Sequence, residues 1–225
     1  MMNKPTIIFD MDGTLLDLAY DDYIWNELLP VRYAQRHNCS LEQSQSVLAQ
    51  FYQSYKHSLN WYSSAFWTQK TQIDIVALQL EFKNLVQLRP QAIELLTYLK
   101  QHHYPIWLAT NADCFGLKFK LDYLSLAQFF DVIVSSESLN YPKEDVRFWQ
   151  QLQKQHDFNP KQCIFIDDTE RVLDTAQQFG LQDLWTIQQP SSKSIKRQSS
   201  SYPMLNQLTD LIKYLELEQE QRKYG

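Results

Sequence analysis

Short runs of apolar, β-branched and aromatic residues alternate along the chain with longer stretches whose apolar positions recur at helical spacing. Thr6–Phe9 (TIIF) is the first such run; it stops at an acid, and Gly13 follows, which predicts a buried strand and a turn. Similar runs lie at residues 105–109 (PIWLA), 131–134 (DVIV), 162–166 (QCIFI) and Asp183–Ile187 (DLWTI). Helical patterns at residues 91–101, 117–127, 144–156 and Glu170–Phe179 separate them, the last closed by Gly180 as a C-cap signal. The strands are continuous apolar runs rather than alternating ones. That combination predicts an α/β fold, a Rossmann-like parallel sheet covered by helices on both faces.

One connection breaks the rhythm. Between residues 17 and 89 only helical patterns occur, at residues 23–36, Leu41–Tyr55 and residues 75–85. This is too long for an ordinary crossover and predicts an inserted helical domain. The expected division is a discontinuous catalytic core of residues 1–17 and 88–225, with a helical cap at residues 18–87. Leaving just after the first strand's carboxyl end, the cap would sit over the ligand-binding edge of the sheet. Residues 190–203 (PSSKSIKRQSSSYP) are Ser-rich and weakly basic. They predict a mobile loop, with Lys193, Lys196 and Arg197 as solvated charges rather than contacts to phosphate or RNA. Residues 204–217 resume helical spacing, as a closing helix packed on the sheet.

Composition narrows the function classes. A chain of 225 residues holds one sizeable core, or a core and a small second domain. The formal charge of -5 gives no electrostatic reason to expect nucleic acid or an anionic membrane as partner. An acidic protein that handles an anionic substrate must instead gather positive charge locally. Cys39, Cys114 and Cys163 are widely spaced and odd in number, as expected of buried thiols in a reducing compartment. The N-terminal apolar run is too short for a signal peptide, and no stretch approaches membrane-spanning length, so the expected location is the cytoplasm.

Candidate chemistry gathers at the predicted strand ends. Asp10-Met11-Asp12-Gly13-Thr14 follows the first strand directly. Two carboxylates two residues apart leave an extended chain in similar directions, and Gly13 lets the backbone turn and a ligand approach closely. Thr110-Asn111 ends the second strand pattern, and Asp167-Asp168-Thr169 ends the fourth. Each has a plain structural explanation as a turn or helix cap. Together they do not, because Asp10, Asp12, Asp167 and Asp168 at one sheet edge would repel unless a cation sat among them. Oxygen-only ligation suits Mg²⁺, and the five histidines show no zinc-ligand spacing. Lys143, behind Pro142 and after the third strand pattern, is the candidate local positive charge.

Asp10–Thr14, Thr110-Asn111, Lys143 and Asp167-Asp168, in that order on a βα alternation, resemble the motif set of the haloacid dehalogenase-like (HAD) hydrolase superfamily. The insertion after the first strand resembles its C1-type cap. The resemblance covers nearly the whole chain apart from residues 190–203. It implies Asp10 as nucleophile forming an aspartyl-phosphate, and Asp12 as the acid that protonates the leaving group and then the base for the attacking water. It implies phosphoryl contacts from Thr110 and Asn111, a steadying role for Lys143, and Mg²⁺ held by Asp10, the Asp12 carbonyl and the Asp167–Asp168 pair, of which Asp168 is favoured over Asp167 as the direct ligand. An acid at position 12 also separates phosphatases from the branch that cleaves carbon–halogen bonds, where the departing halide needs no proton.

Residues 10–30, 59–67 (LNWYSSAFW), 141–145 (YPKED) and 165–170 (FIDDTE) further resemble the bacterial purine 5′-nucleotidases of that superfamily, which hydrolyse GMP and IMP. The resemblance implies a purine mononucleotide as substrate. Trp61 or Tyr62, with Tyr23 or Trp25, would then offer the base a stacking face; the plainer reading of these aromatics is cap core. Rival functions are a phosphatase or phosphomutase for a sugar phosphate or other small metabolite, and a catalytically silent interaction module docking through the basic loop.

Overall fold

The computed structural model describes residues 4–224. Strands β1 (Thr6–Phe9), β2 (Ile106–Thr110), β3 (Val132–Ser135), β4 (Cys163–Ile166), β5 (Asp183–Ile187) and β6 (Met204–Leu205) form one parallel sheet in the order β3-β2-β1-β4-β5-β6. The register sets Phe9 against Leu108 on one side and Ile166 on the other, so the carboxyl ends of β1 and β4 finish level while β2 runs on to Thr110. Strand order reverses beside β1. Ligands bind outside such a reversal in open α/β sheets.

Successive side chains of β1 feed two separate cores. Ile7 and Phe9 join Leu95, Leu96 and Leu99, whereas Ile8 joins Phe148, Trp149 and Leu173. Every residue in this set is fully buried, each contributing about 1.5–3 kcal/mol relative to exposure. Burial on both faces is why the strands read as unbroken apolar runs rather than alternating ones.

Between β1 and β2 the chain is helical. A turn at Ala19–Asp22 leads through a π-helical stretch, Tyr23–Leu28, into α1 (Leu29–His37), α2 (Leu41–Tyr55), α3 (Ser64–Thr71) and α4 (Ile75–Glu81). Local signals place these starts: Ser40 and Gln43 form a reciprocal capping box on α2, and the Asp74 side chain accepts from the Ala77 N–H on α4. Leu48, Trp67, Ile75 and Leu78 pack continuously with the core on one face of the sheet. The remaining long helices are α5 (Ala92–Gln101), α6 (Cys114–Leu124), α7 (Val146–His156), α8 (Glu170–Phe179) and α9 (Asp210–Tyr224).

Three expectations need correction. Residues 204–217 are not one helix: Met204 and Leu205 pair with Thr186 and Ile187 as β6, and α9 begins only at Asp210. Residues 190–203 are not a free loop. The Leu18 N–H donates to the Pro190 carbonyl (3.1 Å), the Ser192 N–H to Asp17 Oδ1 (2.9 Å), and half-buried Arg197 to the Asp168 carbonyl and Thr186 Oγ1. Of the three cysteines only Cys163 is buried; Cys114 is exposed. No helix among the described residues is long and apolar enough to cross a membrane.

Candidate active site

β1 and β4 deliver the acids side by side. The Asp10 N–H donates to the Ile166 carbonyl (2.9 Å), which locks the two strand ends together just where the carboxylates begin. Carboxylate oxygens of Asp10, Asp167 and Asp168 then lie within 4.8 Å of one another. Lys143, only 2% exposed, puts its ammonium on Asp10 Oδ1 and, at 2.7 Å, on Asp167 Oδ2. The lysine's backbone is held as well: its N–H donates to Asn111 Oδ1 (2.9 Å) and its carbonyl accepts from the Trp149 indole (3.1 Å).

Three carboxylates face one ammonium, and the excess negative charge is buried. Burial pushes the Asp10 carboxyl well above the usual range; Lys143 opposes the rise, and the neighbouring Asp167 and Asp168 add to it. Burial, then the neighbouring Asp167, pushes Asp168 up to about 7 against Lys143 and Arg197. A buried group left so short of positive charge, with carboxylate oxygens as its only donors, fits a hard divalent cation. The two adjacent acids are not equivalent. Asp167 is committed to Lys143 and to the Thr169 N–H (2.8 Å), while Asp168 has only a long contact with the Thr169 hydroxyl (3.4 Å).

Gly13 is required by this packing. Its φ is +84°, and a Cβ there would meet Asp168 Cγ at 2.7 Å. Gly13→Ala should therefore combine backbone strain of about 1–2 kcal/mol with displacement of the Asp168 carboxylate. The expected result is a lowered thermal midpoint and loss of divalent-ion binding by titration calorimetry; wild-type ion affinity in the variant would contradict it.

Asp12 parts from Asp10. Its carboxylate stays outside the acid cluster and pairs with Lys120 of α6 at 2.7 Å. Thr110 is buried at the end of β2, where its hydroxyl accepts from the Ala112 N–H (3.0 Å). The Asn111 side chain is a brace: besides holding Lys143, its amide nitrogen donates to Glu144 Oε2 at 2.9 Å.

Above these groups lies a cavity of about 500 Å³ whose lining includes Asp10, Asp12, Thr110, Asn111, Lys143, Asp167 and Asp168. The inserted helices wall it with Trp25, Tyr52, Trp61, Tyr62 and Trp67. Trp61 lines the cavity while packing edge-on against Tyr52 and Trp67 (5.3 and 6.2 Å). The Tyr62 hydroxyl donates to Glu144. Tyr23 packs against Phe82 at 5.4 Å and is not among the cavity's walls.

Sequence reading missed Lys120, Asp21 and Glu144. Lys120 carried a signal, since a lysine three residues after Leu117 and beside Leu121 falls on the buried stripe of its helix. Its partners are 108 and 99 residues away, and nothing local names them.

A model of the haloacid dehalogenase-like hydrolase family matches residues 4–180. The GMP/IMP nucleotidase YrfG of Escherichia coli K12 is 34% identical over 207 residues, covering 92% of this chain and 93% of that protein. The protein of the same name from Shigella flexneri matches to the same extent. Among solved structures, a HAD phosphatase from Thermococcus onnurineus superposes with a TM-score of 0.78 at 17% identity, over 95% of this chain and 98% of that one. A HAD-superfamily hydrolase of subfamily IA from Geobacter sulfurreducens gives 0.64 at 15% identity, over 94% and 96%. The sheet order, the acids at its reversal point and the sequence match agree, and this chain belongs to the haloacid dehalogenase-like hydrolases.

Proposed function

We propose that this protein is a phosphatase of phosphate monoesters, and that its substrate is a purine nucleoside 5′-monophosphate of the GMP or IMP type. The observation that carries the reaction is the buried Asp10–Lys143 pair set against Asp167 and Asp168 on the floor of a cavity that could enclose a nucleotide. Support for the substrate comes from the 34% identity to a GMP/IMP nucleotidase and from the aromatic walls. Trp25 and Trp61 are the stacking candidates on the cavity wall, as flat apolar faces suit a purine.

Asp10 attacks phosphorus and becomes an aspartyl-phosphate while the ester P–O bond breaks. Asp12 gives its proton to the leaving 5′-oxygen, then takes one from the water that cleaves the acyl phosphate, which returns both groups to their starting states. Lys143 holds Asp10 in line and offsets charge on the phosphoryl oxygens, which Thr110 and Asn111 contact. Because the Asn111 side chain already braces Lys143 and Glu144, its backbone N–H is the better phosphoryl donor. Mg²⁺ would be held by Asp10, Asp168 and the Asp12 carbonyl, with Asp167 supporting, and when bound would neutralise charge on the phosphoryl group. The inserted helices, residues 18–87, act as the cap that selects the substrate, in a cytoplasmic enzyme with no nucleic-acid or membrane partner.

A panel of purine and pyrimidine monophosphates and sugar phosphates, assayed for phosphate release with Mg²⁺ and with chelator, tests this directly. GMP and IMP should exceed the sugar phosphates in kcat/KM by roughly tenfold or more, and chelator should abolish turnover until Mg²⁺ is restored. A sugar phosphate that outruns both purines would remove the nucleotide reading. Silence towards every ester, with or without the ion, would leave an interaction module.

A further inference from the structure

Lys120 is a buried cation that the acid cluster does not use. It lies on α6, only 2% exposed, and its ammonium makes three contacts: Asp12 Oδ1 at 2.7 Å, Asp21 Oδ2 at 2.9 Å and Asp21 Oδ1 at 3.0 Å. These match an ammonium's three donors, and the Tyr20 ring covers it at 5.2 Å. Asp12 belongs to the loop after β1, whereas Asp21 belongs to the turn Ala19–Asp22 that opens the inserted helices. One ammonium therefore clamps a carboxylate of the reacting loop to a carboxylate of the insertion.

Stability alone is a poor reason for such a clamp. Desolvating an ammonium and its carboxylate counter-charge costs several kcal/mol per ion, and a well-packed apolar cluster of the same volume is often as stable or more so. The clamp instead constrains Asp12. Lys120 occupies Oδ1, Oδ2 has no hydrogen-bond partner among the described residues, and Asp12 lines the cavity. A carboxyl group fixed by one oxygen keeps the other in a single orientation, and orientation is a large part of what a positioned acid contributes.

We propose that Lys120 is the positioning residue for proton transfer by Asp12, and that its hold on Asp21 makes this position depend on the seating of the insertion's first turn. The inference rests on Asp12 being the proton donor of the function proposed above. No atom of Lys120 enters the reaction: as the ester P–O bond breaks, its electron pair stays on the leaving oxygen, and the proton that oxygen receives comes from Asp12.

Leaving-group dependence tests the idea, because only a leaving group that needs a proton feels the loss of a positioned acid. Phenyl phosphate and p-nitrophenyl phosphate are alike in size, but p-nitrophenolate departs as a stable anion. Their kcat/KM values report events through leaving-group departure and exclude the later hydrolysis of the phosphoryl-enzyme. In Lys120→Met both values should fall, with phenyl phosphate losing about tenfold more than p-nitrophenyl phosphate. Asp21→Asn, which keeps the shape of the site and loosens the clamp, should shift the same ratio in the same direction by about threefold. Should Lys120→Met not fold, the Asp21→Asn ratio decides. A purely structural role lowers both esters equally, and an unchanged ratio overturns the proposal. Asp12→Asn separates the two readings. If it shifts the ratio and the clamp variants do not, only the positioning role falls; if it shifts nothing in an active enzyme, the assignment of Asp12 as donor falls with it.

Discussion

Asp10→Asn should remove hydrolysis, lowering kcat/KM on the order of 10⁴-fold or more, while the folded protein stays as stable as the wild type or becomes more so. The two halves of this expectation have different causes. An amide oxygen is no nucleophile, so the covalent step is lost whatever the geometry preserves. The stability half follows from where the carboxylate sits. Asp10 is 5% exposed, and burial pushes its carboxyl well above the usual range, so its ionised form is costly at neutral pH. An isosteric amide removes that cost. Lys143 still keeps Asp167 at 2.7 Å, and the amide oxygen can accept its other contact. Phosphate release and thermal unfolding measured on the same preparations decide the matter. Retention of a substantial fraction of turnover would mean that another group attacks phosphorus, and a lowered thermal midpoint would mean that the Asp10–Lys143 attraction outweighs the burial cost.

Much of this site was legible because it is built at strand ends. Asp10 and Asp167-Asp168 stop apolar runs, and a run of that kind can only be a central strand or a buried helix segment. The length and flanking residues of TIIF and CIFI favoured strands, and the parallel register then brings their ends together. What stayed hidden is contact between elements that local pattern does not relate. Asp12 was expected to accompany Asp10, since alternate side chains of a strand point alike. β1 ends at Phe9, however, so strand alternation does not carry on to Asp12, which meets Lys120 instead. Glu144, beside the recognised Lys143, carried no local sign that Asn111, Tyr62 and His57 would all converge on it.

The Ser-rich segment failed for a related reason. Composition reports whether a stretch can build a core, and PSSKSIKRQSSSYP cannot. It does not report whether backbone groups elsewhere will hold the stretch. The connections that lead into and out of the helices between β1 and β2 offer such partners: the Leu18 N–H donates to the Pro190 carbonyl, and the Arg89 guanidinium donates to the Gln189 and Pro190 carbonyls. Arg197, read as a solvated charge, reaches the Asp168 backbone instead. The MLNQL stretch failed on length, because an apolar pair such as Met204-Leu205 suits a strand edge as well as a helix turn.

Lys143→Met should be the most destabilising single change at this site, with a loss of about 3–5 kcal/mol at neutral pH and a fall in kcat of about 10²–10³-fold. Methionine fills nearly the same volume, so the place beside the Phe165 ring and the Trp149 bond to the backbone carbonyl are largely kept, and the effect isolates the charge. Without the ammonium, Asp10, Asp167 and Asp168 face one another with their oxygens within 4.8 Å, and Arg197 offsets the charge on Asp168 only in part. The pH dependence follows from the direction of the shifts. Asp10 and Asp167 are held above the ordinary carboxylate range, and Asp168 near 7, with Lys143 opposing the rise in each. Removing Lys143 raises all three further. An acid whose folded-state pKa exceeds its unfolded value favours the fold at low pH and withdraws that support as pH rises through the folded value. Over the range from about pH 5 to about pH 8 the variant should therefore lose ground to the wild type steadily as pH rises. Lys143 itself, pushed above the ordinary lysine range by Asp10 and Asp167 against the cost of burial, stays charged in the wild type across that window. Denaturant unfolding of both proteins without divalent ion, at several pH values, measures the difference. A gap between them that is constant with pH would show that Lys143 stabilises the fold through packing, not through the charge it sets against the three acids.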